Sequence, residues 1–273
     1  MNSKNFDWTE WLKTPPGAYL LAWEEAQFKE AVSDIFGYHA LQLGLPELDT
    51  LQANRMPHQW LALHCPQQVE ATPVPLSDTA ASSSRPRAAL MTDSCALPFS
   101  ENSLDLVVLP HTLEQSQDPH ASLREVERVL VPEGRVVISG LNPASLWGMR
   151  QSRGHFYRRL GHNNMFLPEA GEFIGYWRLR DWLKLLSFEV ESARFGCYRP
   201  ALTSQKWLAR FDWMDPVGNR WWPIFGAVYC VVAVKRVRGM RLLGAPWASK
   251  RALATAPVAV ANKKPATKTS PPP

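Results

Sequence analysis

Three continuous apolar runs stand out in the middle of the chain, at residues 88–92, 104–109 and 135–141. Because they do not alternate with polar residues, they predict strands that are buried on both faces of a parallel sheet. Between the last two runs, Asp118-Pro119 is a typical helix start, since Asp accepts from free N–H groups and proline fits the first helical position. Strand, helix and strand with short connections predict a right-handed βαβ unit.

The apolar stripe of that helix consists of Leu123, Val126 and Leu130, and Pro132-Glu133-Gly134 predicts its end. Residues 1–17 read as a polar lead that closes in a turn at Thr14-Pro15-Pro16-Gly17. Weaker patterns of the same kinds predict further elements. These are helices at 18–36 and 176–187, strands at 39–45, 59–64, 188–195 and 224–237, and a loop at 66–87.

The composition fits a globular protein. Of 273 residues, 45% are hydrophobic and 20% are charged, which predicts one large domain with extensions or two small domains. We expect a helical extension at 1–36, the main domain at 37–238 and a disordered Ala/Pro/Lys-rich tail at 239–273. Tryptophans crowd the stretch 204–222, where core packing is a more common use of such residues than a pocket.

The charge is uneven along the chain. From Arg238 onward there are seven basic residues and no acidic ones, so residues 1–237 carry a net charge of −2. The basic tail could bind phosphate backbones weakly, but the near-neutral folded part argues against a nucleic-acid partner.

The beginning of the chain and its cysteines bear on location. The first residues lack the apolar core of a signal peptide, and the longest apolar run, 224–234, is too short to span a bilayer. The four cysteines are scattered, which favours reduced thiols, and neither they nor the histidines show the spacing of metal ligands. We therefore expect a cytoplasmic protein without a metal site or membrane span.

An ordered motif runs through the centre of the chain. Asp93 is followed by Leu97-Pro98-Phe99, by the apolar run 104–109, by the sequence HTLEQ at 111–115, and by Asp118-Pro119. In this order the motif resembles the type 11 group of class I S-adenosylmethionine-dependent methyltransferases. With Phe-Gly-Tyr-His at 36–39 and Ile-Ser-Gly-Leu-Asn-Pro at 138–143, the chain resembles a poorly characterised bacterial subgroup of that group.

The resemblance implies a Rossmann-like α/β fold. It consists of a seven-stranded, mostly parallel sheet with helices on both faces, and the last strand, at 224–237, is antiparallel. Residues 37–238 would then be the methyltransferase-like domain. The cofactor would be S-adenosylmethionine, bound where the loops after the strands at 39–45, 88–92 and 104–109 converge.

The first of these loops departs from the family pattern. Of the glycines that normally approach the methionine part of the cofactor, only Gly44 remains, Gln42 replaces the usual acid, and Pro46 and Leu48 stand in place of the other glycines. The acid that normally binds the ribose after the second strand is also missing, since Leu63-His64-Cys65 stands there. By position, the resemblance still assigns Gln42, Gly44 and Leu45 to the cofactor.

The loops after the strands at 88–92 and 104–109 match the family pattern. The resemblance implies that Asp93 accepts from the adenine amino group, with Ser94 and Cys95 around the ring. Pro110 and His111 would lie beside the transferred methyl group, and His111 is the candidate general base, with Glu114 and Asn142 as partners by position. The alternative, purely structural interpretations are that Asp93 is a turn residue and that His111 is packed in the core.

Three functions stay open. The first is a methyltransferase acting on a small or partly apolar, lipid-like acceptor, and the intact second and third loops favour it. The second is a non-catalytic binding or regulatory relative, which the altered first loop favours. The third is a nucleic-acid modifier that uses the basic tail. The sequence does not define an oligomeric state.

Overall fold

A single mixed sheet organises the molecule. The computed structural model describes residues 8–63, 88–159, 165–168, 171 and 173–236. Its seven strands lie in the order β3-β2-β1-β4-β5-β7-β6. They are β1 (His39–Leu43), β2 (His58–Leu63), β3 (Ala88–Met91), β4 (Leu104–Pro110), β5 (Leu130–Leu141), β6 (Phe188–Gly196) and β7 (Val228–Lys235).

Only one strand runs against the others. β7 is antiparallel to both β5 and β6, whereas β1 to β5 are parallel. β1 and β4 are neighbours at the centre, with Leu41 opposite Val107, and the strand order reverses between them. This confirms the predicted fold class, including the antiparallel last strand.

Helices cover both faces of the sheet. On one face the core contains Trp11, Leu20, Phe28 and Trp147, and on the other it contains Leu123 and Leu179 among others. The helices are α1 (Trp8–Leu12), α2 (Pro15–Ser33), α3 (Thr112–Gln115), α4 (Pro119–Val129), α5 (Leu146–Arg159), α6 (Tyr176–Leu185), α7 (Gln205–Arg210) and α8 (Met214–Trp221).

Two predicted boundaries at the start of the chain were wrong. The polar lead contains α1, with Trp8 and Trp11 buried, and the turn at 14–17 is instead the start of α2. There Thr14 caps the helix, because its hydroxyl accepts from the N–H of Gly17, and a proline occupies the first position. The sequence Thr14-Pro15-Pro16-Gly17 therefore marks the start of a helix and not a turn between elements.

Three later boundaries also moved. The helix α4 starts at Pro119 with Asp118 as its cap, as predicted, but it ends at Val129. β5 begins directly at Leu130, which pairs with Leu104 across a register shift. The last strand starts four residues later than predicted, since Pro223–Phe225 forms a 3₁₀ turn.

The tryptophan-rich stretch was misassigned. Trp207, Trp213, Trp221 and Trp222 are all exposed, so they do not form core. The predicted loop at 66–87, His64 and Cys65, and the tail at 239–273 lie outside the described residues. In the described part of the chain, no helix combines the length and apolarity needed to cross a membrane.

Candidate functional site

The candidate site lies where the strand order of the sheet reverses. Because β1, β2, β3 and β4 are parallel, their carboxyl ends meet at one edge, and the loops after β1 and β4 flank the switch point. Ligands of open α/β sheets bind at this place. The residues predicted for the cofactor, on the loops after β1, β3 and β4, therefore share this edge.

Hydrogen bonds join the three loops. Thr112, after β4, donates from its hydroxyl to the carbonyl oxygen of Leu43 at the end of β1, at 2.6 Å. Ser94, after β3, lies with its hydroxyl 2.8 Å from that of Ser122 and 3.3 Å from that of Ser116, both beyond β4. The loop after β4 thus connects the other two.

The first loop is organised around Gln42. Its amide nitrogen donates to the carbonyl oxygens of Gly44, Leu45 and Leu48, and its amide oxygen accepts from the N–H and hydroxyl of Thr50. A carboxylate could accept from Thr50 but could not donate to three carbonyls. Gln42 therefore holds together a loop that lacks the usual glycines, and its amide is fully engaged within the chain.

The backbone of this loop keeps an unusual shape. Gly44 has a φ of +76° and Leu45 a φ of +38°, the left-handed region that glycine adopts without strain. A Cβ on Gly44 would lie 3.5 Å from the hydroxyl oxygen of Thr112, an ordinary contact, so the backbone angle and not crowding requires the glycine. Both residues are buried.

The loop after β3 is open to solvent. Asp93 is exposed, and its Oδ1 accepts from the N–H of Cys95 at 3.1 Å. Ser94 is buried, and its hydroxyl is engaged with Ser116 and Ser122. The Sγ of Cys95 lies 3.4 Å from the hydroxyl of Ser122. Ser94 and Cys95 thus fasten the loop to the start of α4 and leave Asp93 at its surface.

His111 forms the centre of a buried polar cluster, which we call the histidine cluster and which comprises Glu24, His111 and Glu114. The Nδ1 of His111 lies 2.9 Å from Oε2 of Glu114, and its Nε2 lies 2.9 Å from Oε1 of Glu24. All three side chains are essentially inaccessible to solvent. The other oxygen of Glu114 accepts from the N–H of Leu141.

The two carboxylates decide the charge of His111. Burial lowers the pKa of an imidazole, but the Glu24 and Glu114 carboxylates outweigh this effect and raise the pKa of His111 to about 10. The ring is therefore doubly protonated at neutral pH. In this conformation both ring nitrogens face carboxylates, so His111 offers no free nitrogen to a substrate.

Helix α1 covers this part of the site. The ring of Trp8 packs on that of His111 with centroids 4.7 Å apart. Thr9 donates to Glu47 of the first loop at 2.9 Å, and the indole N–H of Trp11 donates to the carbonyl of Phe166 at 2.9 Å. We call the loops after β1 and β4 the covered half of the site, and the loop after β3 the open half.

Sequence reasoning missed three residues of the site. Glu24, Trp8 and Ser139 all adjoin His111, whose N–H donates to the carbonyl of Ser139. Glu24 had a local signal, because it lies four residues from Leu20 and from Phe28, in the middle of the buried stripe of α2. An acid at such a position is a buried charge that needs a partner.

The partners predicted for His111 are placed differently. Glu114 contacts its ring, whereas the side chain of Asn142 donates to the carbonyls of Ile224 and Gly226. Asn142 thus anchors the segment that precedes β7. Pro110, the last residue of β4, is buried directly before His111. Across the ranges that the structure describes, no group of His, Cys, Asp and Glu could hold a metal ion.

Comparisons with known proteins agree with the fold. A family model described as a methyltransferase domain matches residues 56–138. The uncharacterized protein YafS of Escherichia coli (strain K12) is 31% identical over 189 residues, which cover 68% of this chain and 67% of YafS.

Solved structures are similar in fold. A chain of the complex between the Haloferax volcanii Trm112 methyltransferase activator and a protein assigned as a methyltransferase has a TM-score of 0.51 at 15% identity. The match covers 87% of this chain and 99% of that one. A SAM-dependent methyltransferase from Thermotoga maritima has a TM-score of 0.49 at 13% identity, and the match covers 80% of this chain and 92% of that one.

The sheet order, the switch-point site and the sequence matches define the class of protein. The chain belongs to the class I S-adenosylmethionine-dependent methyltransferases, as the motif at 93–119 predicted. It is also related to YafS, and the match spans about two thirds of each chain.

Proposed function

We propose that the protein is an active S-adenosylmethionine-dependent methyltransferase whose acceptor is small or partly apolar. One observation carries the proposal. Trp8, Glu24 and Ser139 each keep a buried polar atom without a hydrogen-bond partner among the described residues, and all three adjoin His111. Buried polar atoms in native proteins are nearly always paired, so such a group indicates a place for a polar ligand.

The cofactor fits these residues on both halves of the site. In the open half, the exposed Asp93 carboxylate is suited to accept from the adenine amino group. In the covered half, Gly44 provides a backbone without a Cβ, and the unpaired atoms around His111 provide polar partners. Because His111 and Glu24 are fully buried, access to the covered half requires that α1, held by Trp8 and Trp11, move away.

When bound, the cofactor would supply a methyl group whose carbon an acceptor atom attacks in line as the carbon–sulfur bond breaks, with S-adenosylhomocysteine as the leaving group. The chain contributes by holding the partners in line and excluding water, for which the α1 cover is well placed. Glu114 orients His111, and His111 in turn holds one oxygen of Glu24. An acceptor that must lose a proton can transfer it to Oε2 of Glu24, the oxygen that has no partner.

The aromatic side chains packed beside the histidine cluster support the proposed acceptor class. Trp11, Trp147 and Phe166 form a chain of edge-to-face ring contacts beside Trp8. Such rings favour an apolar body with one polar end. We also expect the protein to work in the cytoplasm, because Cys95, Cys197 and Cys230 are free thiols.

A specific observation favours the second candidate, a non-catalytic binding protein. The amide of Gln42 is used entirely inside its own loop, and both ring nitrogens of His111 face carboxylates of the chain itself. Both features would serve a fold that has lost its cofactor. Cofactor binding separates the two candidates.

The test is calorimetric titration of the purified protein with S-adenosylmethionine and S-adenosylhomocysteine. We expect micromolar binding of both and a loss of about ten-fold or more in affinity for Asp93→Ala, since the adenine loses a polar partner. Asp181→Ala, an exposed acid on α6, is the matched control and should bind as the wild type does. No binding at millimolar ligand would establish the non-catalytic candidate instead.

A further inference from the structure

An unusual set of exposed apolar side chains lies between β6 and β7. We call residues 204–225, which comprise α7, α8 and the 3₁₀ turn, the aromatic segment. Large apolar side chains are normally scattered singly on a surface, whereas here they are concentrated in 22 residues. Their exposed fractions are 54% for Trp207, 58% for Trp213, 73% for Trp221, 41% for Trp222, 42% for Ile224 and 57% for Phe225.

The aromatic segment is well anchored, so its exposure is not a sign of poor packing. Leu208 of α7 is buried, and α8 packs closely, since a Cβ on its Gly218 would lie 2.4 Å from the ring of Tyr198. The hydroxyl of Tyr198 donates to the carbonyl of Pro223 at 2.9 Å. The segment therefore holds its tryptophans outward on a fixed support.

Its position in the fold is defined by the strands on either side. Gly196 at the end of β6 is paired with Val228 at the start of β7, opposite the carboxyl end of β5. Asn142, just after β5, binds the carbonyls of Ile224 and Gly226 at 2.7 and 3.0 Å. The aromatic segment thus emerges at the same edge of the sheet as the candidate site.

The charges of the aromatic segment favour an anionic partner. Its two acids, Asp212 and Asp215, both form ion pairs with Arg199, with Nε of Arg199 lying 2.9 Å from Asp215. Three cations are interspersed with the tryptophans, namely Lys206, Arg210 and Arg220. The guanidinium of Arg210 lies 5.8 Å from the ring centroid of Trp207.

We propose that the aromatic segment docks on the surface of an anionic lipid bilayer. Tryptophan is the side chain most suited to the boundary between headgroups and acyl chains, and neighbouring Lys and Arg side chains add attraction to anionic lipids. Protein interfaces are also enriched in Trp and Arg, but they are depleted in lysine, and their aromatic anchors sit in pockets. A segment of exposed indoles with interspersed cations fits the lipid surface better.

Docking in this way brings the carboxyl edge of the sheet to the bilayer. A lipid-like methyl acceptor would then reach the site from the membrane, an extension that rests on the proposed function. Docking itself needs neither cofactor nor activity. The two proposals can therefore fail separately.

The experiment is flotation of the full-length protein, without cofactor, with two kinds of vesicle. One consists of phosphatidylcholine alone and the other of phosphatidylcholine with about 30% phosphatidylglycerol. The test variant combines Trp207→Ala, Trp213→Ala and Trp221→Ala. The matched control combines Phe36→Ala and Tyr38→Ala, two exposed aromatic residues that precede β1 at the opposite edge of the sheet.

We expect the wild type and the control to float with the anionic vesicles and to bind about ten-fold less to neutral ones. The triple variant should lose about ten-fold or more of its partitioning into anionic vesicles, since it buries less apolar surface in the interface. Circular dichroism and thermal unfolding of the triple variant should match those of the wild type, because the replaced side chains are exposed.

Several outcomes would overturn the docking proposal. One is a wild type that floats with neither vesicle, and another is a triple variant that floats as the wild type does. A third is loss of binding on changing Lys263, Lys264 and Lys268 to Gln in the tail while the triple variant keeps binding. A fourth is concentration-dependent self-association that the triple variant abolishes, since a second copy would then cover the aromatic segment.

Discussion

The two halves of the candidate site differ in whether side chains of the protein itself fill them. In the covered half, the chain fills the region with its own side chains, and Trp8 and Glu24 from the N-terminal helices close over His111. In the open half, Asp93 faces solvent on a loop that Ser94 and Cys95 fasten to the start of α4. Both halves lie on parallel strands of one sheet and differ mainly in what packs on them.

This contrast separates stability from ligand binding. A residue in the covered half is held by buried charges and buried hydrogen bonds, so replacing it should destabilise the fold. An exposed residue of the open half such as Asp93 contributes little to the core, so replacing it should change ligand binding and leave stability intact. Four predictions test whether the two halves differ in this way, and they run from the largest expected effect to the smallest.

The largest effect is expected for His111→Ala. Removing the imidazole leaves the Glu24 and Glu114 carboxylates buried without a counter-charge, which should lower the free energy of unfolding by about 3–5 kcal/mol. Urea denaturation measures this loss. The exposed His58 on β2 is the matched control, and His58→Ala should cost below about 1 kcal/mol. Equal losses in the two variants would contradict the buried ion-pair interpretation.

The pH dependence of stability is a second test of the covered half. The pKa of His111 is about 10 in the folded protein and 6.5 is its ordinary value, so between these values the folded state holds one more proton than the unfolded state. The stabilisation is complete below the lower value and is lost as the pH rises through the higher one. Between pH 7 and 9 the free energy of unfolding should fall by up to about 1.4 kcal/mol per pH unit.

Urea denaturation at pH 7, 8 and 9 measures that slope. The reference is His111→Gln, which keeps a polar side chain but does not titrate in this range. Its stability should change with pH less steeply than that of the wild type. Parallel slopes would show that His111 is not the group that loses the proton.

The third prediction concerns the amide of Gln42. Gln42→Glu keeps the shape but replaces a donor by a carboxylate that faces the carbonyls of Gly44, Leu45 and Leu48, so about 2 kcal/mol of stability should be lost. Gln59→Glu is the control, because Gln59 is exposed and its amide also donates to two backbone carbonyls. Its expected loss is below about 1 kcal/mol, and a reversed order would refute the role given to Gln42.

The smallest effect on stability is expected in the open half. Asp93→Ala should change the free energy of unfolding by no more than about 0.5 kcal/mol, because the side chain is exposed. The same variant should weaken adenosine binding, as measured by calorimetry. A large loss of stability with unchanged adenosine binding would reverse the assignment and make Asp93 a structural turn residue.

The sequence by itself determined the parts of the protein that depend on neighbours along the chain. The apolar runs at 104–109 and 135–141 lie in buried strands, and Asp118-Pro119 starts a helix, because burial period and capping are local properties. The motif from Asp93 to Pro119 was sufficient to identify the family and thereby the seven-stranded, mostly parallel sheet with an antiparallel last strand. The loop that carries His111 could also be placed at the carboxyl edge in this way.

Only the tertiary structure decided what surrounds those residues. Glu24 meets His111 across 87 positions of sequence, and Trp8 covers it from a segment that was expected to be a polar lead. The tryptophans at 207–222, expected in the core, face outward because Leu208 and Gly218 take the inward positions. Periodicity within a short segment shows that a side chain is apolar, whereas its burial depends on which distant element packs against that face.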